Sequence, residues 1–197
     1  MESYQSKKDN CSPIHTITTH YSLQEAQLCD AAIIYQVVDN HREYLKTWLP
    51  FVCNLNIEGE EVFLSSMLST PYEERNIVFM IKKSNELCGL VGFANTDITN
   101  HRTEIGYWLL PEHQGKGIMT QCVKYLCQWS IEKRGMNRIQ IRCAVGNYPS
   151  NAIPQRLGFK FEGTERDGEL LSSNQYTDIN IYSLLKKEIE LWNNDQY

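Results

Sequence analysis

Apolar and polar positions alternate along some stretches of this 197-residue chain and fall at helical spacing along others. Ile14–Tyr21 alternates Ile, Thr and His and predicts a first strand. Leu23–Val38 predicts a helix, with Ser22 as its N-cap and Glu25 completing a capping box. Two more helical stretches, His41–Leu49 and Glu58–Leu68, stop ahead of Pro50 and Pro71, residues that cannot donate to a helix ladder. Asn76–Lys82 and Glu86–Ala94 read as strands joined by a hairpin over residues 83–85, and Thr103–Leu110 reads as the next strand. Met119, Cys122, Val123, Leu126, Cys127, Ser130 and Ile131 share one face, so Gly117–Arg134 is an amphipathic helix that Gly135 ends. Asn137–Val145 is a strand, Ser150–Leu157 a short helix closed by Gly158, and Lys160–Gly163 and Tyr176–Leu185 are the last two strands.

The resulting order, β-ααα-βββ-α-β-α-ββ, predicts a mixed α/β sheet. Most neighbours should be antiparallel, with one parallel strand–helix–strand unit over residues 103–145. The length suits one domain over residues 13–190, preceded by a polar tail over residues 1–12.

Charge and cysteine usage narrow the function classes. A net charge of −5 disfavours a nucleic-acid partner, because a phosphate binder needs cationic surface. The start of the chain is polar, and no apolar run approaches the roughly 18 residues that span a bilayer, so no membrane is expected and a cytoplasmic location is. The seven Cys are odd in number and scattered, with no C-x-x-C pair, which fits a reducing compartment. Cys122 and Cys127 fall on the apolar stripe of their helix and read as core. The five His show no metal-ligand spacing, so no metal is expected.

The chemistry concentrates in PEHQGKGIMT, residues 111–120. A strand ends, Pro111 turns the chain, Gly115 and Gly117 open the backbone, and a long helix begins. Unpaired N–H groups and the positive end of the helix dipole make such a start a phosphate cradle, to which Lys116 adds charge. The P-loop spacing is absent. A dinucleotide fingerprint would need a third Gly where Thr120 stands, and NRIQIRCAV ends without the carboxylate that binds a ribose. A Gly-rich loop that only turns the chain is the remaining alternative.

The stretch EIGYWLLPEHQGKGIMT, with NRIQIRCAVGNYPSNAIPQRLGF after it, resembles the GNAT family of acetyltransferases, and within it the RimJ/RimL branch that acetylates N-terminal amines of ribosomal proteins. The similarity spans roughly residues 14–187. Gln114 and Gly117 match the family's loop pattern, while Met119 replaces a small residue. The resemblance implies that the N–H groups of Gly115, Lys116, Gly117, Ile118, Met119 and Thr120 hold the pyrophosphate of acetyl-CoA. It also implies that the strands before and after the long helix splay, with pantetheine bonding backbone at Leu109 and Leu110 and meeting Asn147.

The same resemblance carries catalytic roles. Many relatives place a Tyr acid where this chain has Pro154, which has no proton to give. In the RimL-like branch a Ser in N-x-x-S protonates the thiolate, which points to Ser150, a residue that equally suits a helix N-cap. A general-base Glu in the loop between the last two strands corresponds to Glu169, whose alternative is a solvated carboxylate. Glu104 is the rival base, or a group that only holds the substrate. The stretch 40–51 resembles the acceptor-site wall, with Trp48 and Arg42 as candidate contacts and core packing or a solvated charge as their alternatives. The expected reaction moves acetyl from acetyl-CoA directly to an amine. The favoured acceptor is a protein N-terminus; the alternatives are a small amine or a non-catalytic acyl-CoA sensor. A homodimer is left open.

Overall fold

The structure, a computed structural model, describes residues 14–192, so the expected tail over residues 1–12 and Cys11 lie outside the described residues. Eight strands form one sheet in the order β1-β2-β3-β4-β5-β6-β8-β7. They are β1 (Ile14–Thr16), β2 (Tyr21–Glu25), β3 (Val78–Lys83), β4 (Glu86–Asp97), β5 (Arg102–Leu109), β6 (Arg138–Ala144), β7 (Lys160–Leu170) and β8 (Tyr176–Leu185). Every neighbouring pair is antiparallel except β5 and β6. The mixed α/β sheet with a central parallel pair is therefore as expected.

Helices cover both faces. Helices α1 (Ala31–Asn40), α2 (Arg42–Leu45) and α3 (Ile57–Ser69) lie between β2 and β3 in the chain. Ile34, Val38, Leu45 and Leu64 bury themselves with Met80 and Leu87 of the sheet. The other face carries α4 (Ile118–Arg134), α5 (Tyr148–Arg156) and α6 (Lys186–Trp192). There Cys122, Val123, Leu126 and Ile153 pack with Leu23, Phe79, Ile81, Val91 and Ile141. Strand alternation explains the division: Phe79 and Ile81 face one layer and Met80 the other.

Three boundaries differ from the sequence reading. The expected first strand is a hairpin, and Ser22 and Glu25 lie in β2, opposite Lys82 and Phe79. No capping box forms there. The buried alternation of Tyr21 and Leu23 wins a place in the sheet, and the helix begins only at Ala31.

The second difference is β7, which continues to Leu170 rather than stopping at Gly163. Asp167-Gly168 resembles a turn signal, but it forms a bulge. Asp167 takes φ 50°, and its N–H donates to the Asp178 carboxylate at 2.9 Å. Glu169 therefore stands on a strand, paired in register with Thr177, and not on the loop between the last two strands.

Third, α5 begins before Ser150. Asn147 is the N-cap, and its side-chain oxygen accepts the Ser150 N–H at 3.3 Å.

Candidate active site

The parallel ladder between β5 and β6 lasts only from Arg102–Arg138 to Glu104–Gln140. Beyond it β5 stays with β4 as far as Leu109, while β6 stays with β8 as far as Ala144. The two strands diverge because each follows its other neighbour, and the divergence opens a gap in the middle of the sheet. A cleft of about 1160 Å³ occupies the gap, lined by both strands, the loop before α4 and the start of α5.

One wall of the cleft is the loop before α4. Gly115 and Gly117 take φ values of 70° and 74°, the left-handed region in which glycine carries no Cβ penalty. Gln114 donates its N–H back to the Pro111 carbonyl at 3.1 Å, and the Gln121 N–H reaches the Gly117 carbonyl at 3.1 Å. Between them, the N–H groups of Gly115, Lys116, Gly117, Ile118, Met119 and Thr120 find no acceptor among the described residues. Six consecutive donors at the positive end of a 17-residue helix suit a diphosphate.

The side chains around this loop divide. Gln114 donates its amide to the Leu109 carbonyl at 2.9 Å and also meets the Tyr44 hydroxyl, so it braces the loop against β5. Met119 is buried and lines the cleft. Lys116 points back and donates to the Glu112 carbonyl at 2.6 Å, away from the cleft lining. Arg156, at the end of α5, instead brings its guanidinium within 3.5 Å of the Thr120 hydroxyl. Sequence spacing gave no sign of that cation, because α4 and α5 meet only in the folded chain.

At the end of β5 the Leu109 carbonyl accepts from Gln114 and from the Tyr44 hydroxyl at 3.4 Å, and the Leu110 N–H donates to the Cys88 carbonyl at 2.9 Å. Leu109 lines the cleft and Leu110 is buried beside it. Across the gap, the buried Asn151 anchors α5. Its amide donates to the Ala144 and Asn147 carbonyls at 2.9 and 2.8 Å, and its oxygen accepts from Asn180 and Tyr182.

This anchoring holds Ser150 half-buried in the gap, its Oγ 3.1 Å from Cys143 Sγ and 3.3 Å from the Tyr107 oxygen. Burial pushes the Cys143 thiol up from its usual range and the Tyr107 phenol well above its own, so both stay protonated near neutral pH. Tyr107 was legible as a strand residue, yet only the divergence of β5 from β6 gives it a place in the site.

Glu169 lines the same cleft from β7. Its side chain remains open to solvent, but partial burial raises the carboxyl above its ordinary pKa of 4.5, and the charge of Arg142 opposes the rise. Arg142, also in the lining, pairs with Glu165 at 2.7 Å. Glu104 stands apart from the cleft lining. It accepts from Asn95 at 3.1 Å and from Gln140 at 3.2 Å, beside the last rung of the parallel ladder.

Tyr44, in α2, and Trp48, in the turn that follows it, both line the cleft. Arg42 turns the other way. It pairs with Asp39 at 2.7 Å and donates to the carbonyls of Val52 and Leu55, tying α2 to the segment after it. Among the described residues, no three His, Cys, Asp or Glu side chains gather as a metal site, and no helix is long and apolar enough to cross a membrane.

Residues 22–160 match the model of the acetyltransferase (GNAT) domain. The chain is 32% identical to the putative ribosomal N-acetyltransferase YdaF of Bacillus subtilis, over 88% of this chain and 96% of that protein. It is 38% identical to the ribosomal-protein-serine acetyltransferase of Escherichia coli, over 76% of this chain and 84% of that one. Among solved structures, RimL, a ribosomal L7/L12 alpha-N-protein acetyltransferase in complex with coenzyme A, superposes with a TM-score of 0.82. It is 26% identical, with 88% of this chain and 98% of RimL covered. A diverged parallel strand pair, six free amide donors at a helix start and this kinship lead to one conclusion: the chain belongs to the GNAT acetyltransferase family and is an acetyl-CoA-dependent N-acetyltransferase.

Proposed function

We propose that the acceptor is the N-terminal α-amine of a protein, a ribosomal protein in the first instance, with Glu169 as general base and Ser150 as general acid. The observation that carries this reading is that Ser150 and Glu169 line one cleft with the amide cradle, whereas Glu104 lies outside it. The free N–H groups of residues 115–120 bind the pyrophosphate of acetyl-CoA, Arg156 adds charge beside them, and the pantetheine arm enters the gap past Leu109 and Asn147. The thioester then reaches the level of Ser150.

In the reaction the amine nitrogen bonds to the thioester carbonyl carbon and the carbon–sulfur bond breaks. The attacking ammonium must first lose a proton, and a carboxyl raised by burial accepts it better than an ordinary one near neutral pH. The departing thiolate takes the proton of the Ser150 hydroxyl, and the second proton, which the nitrogen releases as the amide forms, restores that hydroxyl. Trp48 walls the acceptor. Arg42 supports that wall through the Val52 and Leu55 carbonyls rather than by touching the substrate.

The acceptor end favours a chain over a small amine. Tyr44, Thr47 and Glu169 are all exposed along its lip, which leaves room for residues behind the reacting nitrogen. The relatives named for ribosomal-protein acetylation support the same choice. Thiol release from acetyl-CoA, measured against a panel of N-terminal peptides and of small amines such as polyamines, tests it. Release with peptides alone is expected. Release with small amines alone overturns the proposed acceptor, and acetyl-CoA binding without release for any amine overturns catalysis by this site.

A further inference from the structure

Pro154 lies inside α5 and removes one N–H from its ladder. In an uninterrupted helix that N–H would bond the carbonyl four residues back, which is the carbonyl of Ser150. The carbonyl is not left bare. The Tyr107 hydroxyl, arriving from β5 across the gap, donates to it at 3.1 Å. The same phenol oxygen lies 3.3 Å from Ser150 Oγ, and so can accept the hydroxyl proton of Ser150. Backbone and side chain of one serine thus meet one phenol.

We propose that Tyr107 is a positioning residue for Ser150, and that Pro154 creates its docking point by leaving the Ser150 carbonyl without a helical donor. This rests on the reading of Ser150 as the proton donor to the thiolate. The phenol sits beyond the last β5–β6 rung, so its bond to α5 spans the diverged strands and fixes the distance between them where the thioester must lie. Tyr107 spends its only proton on the carbonyl, and its oxygen accepts the serine hydroxyl in the resting site. As the thiolate forms, the serine proton turns from the phenol oxygen to the sulfur while the carbonyl bond keeps Ser150 in place. Burial keeps the phenol protonated, so this arrangement persists across the working pH range.

The two residues should therefore couple, in a direction that simple packing does not produce. In Tyr107→Phe the Ser150 carbonyl loses its donor; in Tyr107→Phe/Pro154→Ala the restored N–H at position 154 replaces it. Four full-length proteins, wild type, each single variant and the double, are compared by thermal melting and by steady-state turnover of the best amine from the panel.

Pro154→Ala is expected to raise Tm by at least about 2 °C more in the Tyr107→Phe background than in wild type, an increment on the order of 1 kcal/mol for a chain this long. An equal shift in both backgrounds overturns the proposal, and this readout needs no acceptor. In turnover, Tyr107→Phe is expected to lower kcat about tenfold with KM for acetyl-CoA within about twofold, and the double variant stays as slow although its fold is repaired. Recovery of kcat together with Tm reduces Tyr107 to a structural prop and overturns the positioning role. Ser150→Ala, assayed beside them, separates the two claims. Loss of turnover there with unchanged turnover in Tyr107→Phe overturns this inference alone, whereas unchanged turnover in Ser150→Ala overturns the proton-donor reading and this inference with it.

Discussion

Trp48 lies directly over Gly146: a Cβ added to the glycine would stand 3.1 Å from the indole Cη2. The contact joins the wall proposed for the acceptor to the turn between β6 and α5, so a residue with no side chain sets how far the indole leans into the cleft. Gly146→Ala pushes the indole outward by a few tenths of an ångström. Misplacement on the order of 1 Å can cost about 10²-fold, so this smaller shift should raise KM for the amine by roughly threefold to tenfold. KM for acetyl-CoA should stay within about twofold, because neither Trp48 nor Gly146 hydrogen-bonds the loop before α4. Steady-state kinetics with each substrate varied in turn checks the split, and an equal rise in both constants would detach Trp48 from the acceptor side.

The cradle makes a separate prediction. A Cβ on Gly115 or Gly117 would meet nothing within 4 Å, so substitution there costs only backbone strain. Holding a non-glycine residue at φ near 70° costs roughly 1–2 kcal/mol. Relief of that strain turns the free N–H groups away from a common point. Gly117→Ala should therefore weaken coenzyme A binding by about tenfold or more, with kcat at saturation little changed. Isothermal titration with coenzyme A measures this without any acceptor. Lys116→Ala, at a side chain already turned to the Glu112 carbonyl, should change the affinity far less.

Glu169 predicts the acid limb of the pH–rate profile. A general base works only when ionised, so activity is lost as pH falls through its folded pKa. Burial raises that pKa above 4.5, and the limb should therefore lie at higher pH than an unperturbed glutamate would give. Arg142 opposes the rise, so Arg142→Gln should move the limb to still higher pH. Glu169→Gln should abolish the limb and lower kcat by about 10²–10⁴-fold. Profiles that coincide for wild type and Glu169→Gln would exclude Glu169 as the base and send the search to Glu104 or to water.

What was legible in the sequence was what neighbouring residues decide. Gly117 and Gly135 bound α4 because a left-handed glycine starts and ends it. Residues 84 and 85 make the β3–β4 turn between Lys83 and Glu86. The cradle belongs to this class, since its donors follow from one helix start. What escaped depends on partners far along the chain. S-x-x-E at Ser22 fits a capping box as well as a strand, and β3 decides between them by burying Tyr21 and Leu23. Asp167-Gly168 looks like a hairpin turn until β8 pairs across it. Tyr107, Arg142 and Arg156 become site residues only because β5, β6 and α5 converge around the gap, and no local pattern records that convergence.

The last prediction concerns Glu60, a carboxyl buried on α3 beside Leu64 and well away from the cleft lining. Desolvation pushes its pKa up to about 7. The folded chain thus keeps a proton that the unfolded chain releases near pH 4.5. Between those two values the native state binds more protons, and stability falls as pH rises through the window. Above it the full cost is present, on the order of 3 kcal/mol before relaxation. Glu60→Gln keeps the shape without the charge. Its melting temperature should match wild type near pH 4, exceed it at pH 8, and lose most of the slope between. Thermal melts across that range check the sign: a variant less stable than wild type at pH 8 would mean that the Glu60 carboxylate is stabilised by a partner that burial alone does not supply.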